Sequence, residues 1–160
     1  MPFQSNVYIN QALGKPGTIA RLNPIDKIPV VAEGTAVFAG GFVFEGTDPE
    51  RQVVGASDAT ASVTAVAGVA VFEKFQMALR AANDIASLNI NPGEELAKVR
   101  KGYVYIQSST ASVHGQKVFV NTTTGVISTG TGDAPSGSID TGWTVETGNA
   151  AGETCEIYNI

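Results

Sequence analysis

The chain has 160 residues, 43% of them hydrophobic and 16% charged, enough for one domain with a real core and too apolar for a disordered tail. Its 15 acids against 10 bases leave a net charge of −5, the wrong sign for a protein that neutralises phosphates, so nucleic-acid binding is not expected. The 18 glycines exceed the usual share of about 7%, and with plentiful threonine they favour short strands and many turns over long helices.

Four of the seven prolines, Pro2, Pro16, Pro24 and Pro29, fall early. Each removes a backbone donor and biases its predecessor toward extended conformations. The same stretch carries Phe3, Val7, Tyr8, Ile9, Leu13, Ile19 and Leu22, too apolar for a solvated linker. Residues 1–30 therefore read as an extended arm lying on something, either a partner or its own domain, and residues 31–160 as a single β domain. The opening segment has neither a basic leader nor a continuous apolar run, and no window reaches the ~18 apolar residues of a membrane helix. Neither export nor a membrane partner is expected, and the chain is expected to start in the cytoplasm.

From Val30 to Phe44, apolar runs punctuated by Gly34 and Gly40-Gly41 read as short strands joined by a tight turn or bulge. A turn around Thr47–Pro49 closes them. Residues 55–70 are mostly small and read as a loop leading into a strand at Val69–Phe72. Phe72, Phe75, Leu79, Ala82 and Ala86 recur at helical spacing, allowing one short helix over Phe72–Ser87.

Asn91-Pro92-Gly93 is a strong turn signal. Beyond it Ala97 and Val99 alternate with Lys98 and Arg100, then Val104 and Ile106 with Tyr103 and Tyr105, the pattern of half-buried strands. A hairpin is expected between Val118–Val120 and Val126–Ser128, with Gly125 supplying the positive φ of its loop. Ser128–Asp140 reads as a mobile surface loop. Gly142 then opens a strand with Trp143 and Val145 on one face, and Thr154–Ile160 forms the last strand. Many short strands at even spacing indicate a mainly β fold, a small barrel or sandwich.

No catalytic constellation emerges. His114 is the single histidine and sits in a turn-like setting; Cys155 is the single cysteine, excluding an internal disulfide, and reads as a buried small hydrophobe beside Ile157. Glu94-Glu95 are adjacent, so strand geometry sends them to opposite faces. No metal or cofactor site is expected. After Lys117 come Asp133, Asp140, Glu146, Glu153 and Glu156 with no base, either a solvated acidic face or a surface matched to a basic partner.

MPFQSNVYINQALGKPGTIA, GVAVFEKF, PGEELAKVRKGYVYI, VFVNTTTGVIST and GWTVETGNAAGETCEIYNI, in this order, resemble the capsid cement, or head decoration, proteins of tailed bacteriophages. The resemblance implies a non-enzymatic virion protein with a jelly-roll-like β body. It would bind the outer surface of a head built from a major capsid protein, after assembly in the host cytoplasm. It also implies a homodimer or homotrimer bridging capsomers, and a strand plus inserted loop as the alternative to the helix after Phe72. Phe3, Val7, Tyr8, Ile9 and Leu13 are then the expected partner-binding residues of the arm. The alternative reading is another virion component, such as a tail or host-adhesion β module.

Overall fold

A computed structural model of the chain describes residues 14–59, 63–72 and 89–160. The fold is mainly β, as expected, and the one helical element among the described residues is a 3-10 turn at Ala56–Asp58. The helix-or-loop question over Phe72–Ser87 falls almost wholly outside the described residues.

The longest strand, β1 (Ile19–Glu33), lies within and just beyond the segment read as an arm. It runs antiparallel to β7 (Glu95–Gln107) from Ile19 opposite Val104 to Val31 opposite Glu95, and its last three residues pair in parallel with β4 (Gln52–Val54). β4 pairs with β3 (Phe42–Glu45), β3 with β5 (Gly68–Val71), and β5 with β7. These pairings close a circuit, β1–β4–β3–β5–β7–β1. Beyond β5, the same edge of β7 is taken over at Gly102–Gln107 by β11 (Thr154–Asn159). Next come β10 (Ser138–Thr147), β8 (Lys117–Asn121) and the last strand, β9 (Ile127–Gly130). A small ladder joins β2 (Val37–Phe38) to β6 (Asn89–Ile90).

β7 thus belongs to two halves, the circuit on one side and the β11–β10–β8–β9 run on the other. The crossing lies at Gly102, where φ is +134° and a Cβ would come within 3.0 Å of the Pro24 carbonyl oxygen. Opposite it β1 bulges, advancing from Arg21 to Asp26 while β7 moves only from Tyr103 to Lys101. The bulge holds a cis Asn23–Pro24 bond and the 84% exposed Leu22. Only glycine lets the two backbones approach this closely.

Two hydrophobic clusters occupy opposite faces of the circuit strands. One lies between the halves and joins Phe42, Val69 and Val99 to Ile106, Val118 and Trp143. Phe42 and Trp143 meet edge to face at 6.3 Å and 69°, a favoured aromatic geometry. The other cluster takes Val30, Val53, Val43, Ala70 and Leu96, one from each strand of the circuit, and is covered by Val37 and Ile90. Both faces of these strands are consequently buried, and Phe42, Val43 and Phe44 in succession are at most 3% exposed.

This corrects the alternation expected at Lys98. The residue lies on the Leu96 face and is 4% exposed, its Nζ donating to the Pro49 carbonyl at 3.1 Å beside the Glu45 carboxylate at 3.5 Å. A second correction concerns the loop before Gly142. β9 extends to Gly130 and β10 begins at Ser138, so Gly142 lies inside a strand, its φ of +75° at an irregularity between Asp140 and Thr144. The Val118–Val120 hairpin is found as expected, with Val120 opposite Ile127 and Gly125 at φ +72°.

Candidate docking surface

The segment Gly14–Thr18, which precedes β1, is tied to β7 and to Phe72. The Gly17 N–H donates to the Tyr105 carbonyl at 2.9 Å, the Tyr105 N–H to the Thr18 carbonyl at 3.0 Å, and the Phe72 N–H to the Gly17 carbonyl at 3.3 Å. Gly17 and Gly40 have φ of +80° and +79°, and a Cβ on Gly40 would stand 2.6 Å from the Gly17 nitrogen. Two backbones cross in contact here, which explains a glycine on each side.

Beside this crossing a groove of about 370 Å³ opens between the halves. Pro16, Phe38, Gly41, Phe42, Ala56 and Ile127 give its walls their apolar character, and among the described residues none that lines it carries a charge. Phe38, 62% exposed, stands on the circuit side, and Thr124, Gly125 and Ile127 line the hairpin side.

The outer face of β7 and β11 is built differently. Tyr103 stacks on Tyr158 at 5.7 Å, and the Arg21 guanidinium lies 4.1 Å over the Tyr103 ring. Arg21 also bonds Glu156 at 2.9 Å and Glu146 at 3.1 Å. Desolvation works against its charge, but these two carboxylates outweigh it and raise its pKa above the ordinary value. Lys117 meets Asp140 at 3.3 Å. Three of the five acids after Lys117 are thus answered within the chain, which reduces the acidic face expected there.

Sheet edges are blunted. β9, at one end of the strand order, is covered by the loop before β8. The Ser109 N–H donates to the Ile127 carbonyl at 2.8 Å, and Thr110 Oγ1 accepts from the Thr129 N–H at 2.8 Å. β1 itself contains Pro24 and Pro29, which have no N–H to offer a further strand. Such devices protect a β protein against indiscriminate pairing.

The expected arm residues Phe3, Val7, Tyr8, Ile9 and Leu13 lie outside the described residues. His114 is found in a turn as expected, with Nδ1 donating to the Glu146 carbonyl at 2.7 Å. Cys155 is fully buried with Ile157 in the core between the halves; burial pushes its thiol pKa up, a Ser112 hydrogen bond opposing. Glu94 accepts the Asn91 N–H at 2.7 Å and closes the Asn91–Glu94 turn. Neither the groove nor the buried Lys98 was anticipated from the residues, although the Gly40-Gly41 pair beside Phe38 carried a signal of close backbone approach.

The family model of structural cement proteins (E217 gp24/Pam3 gp6) matches residues 3–159. No curated protein matches the chain. A chain from the capsid of Myoviridae phage XM1 is 13% identical and superposes with a TM-score of 0.65, covering 99% of this chain and 97% of that one. That likeness shows a shared fold. With nearly its whole length matched, the chain belongs to the structural cement proteins of phages, capsid-stabilising components of the virion.

Proposed function

We propose that the protein clamps the outside of the phage head, bridging neighbouring capsomers of the major capsid protein and performing no chemistry of its own. The observation that carries this reading is the family match over residues 3–159. It forms homodimers or homotrimers and binds neither nucleic acid nor membrane. It assembles onto heads in the host cytoplasm. Each bridging copy adds contact area across a seam that internal pressure tends to open, and many symmetric copies turn a modest per-site affinity into a large total through avidity.

The arm, with Phe3, Val7, Tyr8, Ile9 and Leu13 as anchors, reaches the capsid or a sister subunit. The hydrogen bonds at Gly17 and Thr18 support this, because tension on the arm would pass directly into β7 rather than into a loose tail. They also set the truncation to make. Deleting residues 2–13 spares the Gly17–Gly40 crossing and leaves a folded body.

The test is co-sedimentation with heads of the source phage that lack the protein. Saturable binding at a fixed ratio to the major capsid protein, lost on deleting residues 2–13, supports the reading. Undiminished binding by the truncated chain removes the arm from it. No binding by the folded full chain transfers the protein to a tail or host-adhesion role.

A further inference from the structure

The groove between the halves has a shape and chemistry that single out an occupant. We infer that it receives the N-terminal segment of a second copy, so that two copies exchange arms.

The first argument is chemical. Residues 1–13, MPFQSNVYINQAL, contain no charged side chain, and neither does any described residue lining the groove. Seating one in the other therefore desolvates no charge. The exposed Phe38 is the apolar surface such a segment would cover, and Phe3, Val7, Tyr8, Ile9 and Leu13 are the anchors it brings. At about 370 Å³ the site lies within the roughly 300–1,000 Å³ of built pockets, room for a few anchors rather than a whole domain.

The second argument is directional and decides whose arm it is. Pro16 lines the groove, whereas a Cβ at Gly14 would overlap the Tyr105 ring. Gln107 lines the groove on the same face of β7 and Tyr105 does not. Followed toward its N-terminus, the chain is therefore leaving its own groove when it reaches Gly14. The thirteen residues before Gly14 have a reach of about 40 Å when extended, against a radius of gyration of about 15 Å for a body this size. They can reach a neighbour. Because the foot of the arm and the groove are adjacent, a two-fold pair places each arm at the other's groove and closes the assembly.

This inference rests on the reading of the arm as an anchoring element, and its test is separate from head binding. Two full-length variants, Val7→Cys and Ser57→Cys, are mixed in equal amounts and oxidised, both free and bound to heads. Cys155 is buried and does not compete. The expected result is a disulfide between the two different chains, its yield falling about tenfold when the Ser57→Cys partner also carries Phe38→Glu, the loss of one aromatic anchor. A Val7→Cys/Ser57→Cys double variant that links only within one chain overturns the exchange, and so does the absence of any link in both settings. Head binding without the link leaves the clamp standing and removes the exchange; the link without head binding does the reverse.

Discussion

The two halves that share β7 bury their strands by different rules. In the β11–β10–β8–β9 run, Trp143 and Val145 point into the core while Thr144 and Glu146 are partly exposed, so period-two patterning is plain in the residues. In the circuit, Phe42–Phe44, Val69–Val71 and Leu96–Val99 are buried on both faces, and the alternation disappears. A strand between two cores must be apolar throughout, and where it is not, as at Lys98, the polar atom is led to a partner. The half with the ordinary pattern is the simpler one to read, whereas the circuit carries the Gly17–Gly40 crossing and most of the groove wall.

If the core between the halves couples them, cutting its largest side chain weakens both together. Trp143→Ala should cost about 3–5 kcal/mol in one cooperative denaturant transition, and two separate transitions would show that the halves are independent. Lys98 probes the inner core of the circuit. Lys98→Glu places a carboxylate beside Glu45 in a closed setting and should cost about 3 kcal/mol. Lys98→Met, of similar shape, should cost less than about 1.5 kcal/mol, and equal losses for the two would mean that the site is wetter than its 4% exposure implies. Gly40→Ala forces a side chain into φ +79° against the Gly17 backbone and should cost about 2 kcal/mol, with protease cleavage appearing near residues 14–18. Protection unchanged from the wild type would show that the arm is held elsewhere.

The smallest effect concerns pH and belongs to the circuit half. Glu33 accepts the N–H and hydroxyl of Thr47, and Asp58 those of Thr35; these bonds hold both carboxyls below their ordinary pKa values. A lowered folded pKa means stabilisation that is complete above the unfolded values, about 4.3 for Glu and 3.9 for Asp. It fades as pH falls through the folded ones. Thr47→Val and Thr35→Val should therefore lower the urea midpoint at neutral pH, with the gap to wild type narrowing at about pH 3. A gap independent of pH would assign the loss to packing.

The features legible in the residues are those whose cause is local. Gly125 at φ +72° and Gly93 at φ +84° sit in the turns expected of them, and Cys155 shares the core with Ile157 as strand geometry requires. Trp143 and Val145 follow from alternation alone. The strand through Gly142 was missed because glycine at positive φ normally ends a strand; the irregularity between Asp140 and Thr144 accommodates it within one. Lys98 was missed because its burial depends on β1, β3 and β4 closing around β7 from remote parts of the chain. Family membership was legible in the succession of segments, whereas the groove was not, since its walls come from residues 16, 36–42, 55–57, 107, 124, 125 and 127.

By itself the sequence determined that the fold is mainly β with glycine-set turns, because strand periodicity and turn conformation are properties of neighbouring residues. Tertiary structure alone decided that β1 returns to close the circuit with β4, that β7 serves two cores, and that Gly17 is fastened to β7 beside a groove whose described lining carries no charge. Each depends on contacts between residues far apart in the chain, where non-local pairing energy and close backbone approach outweigh what any single segment prefers.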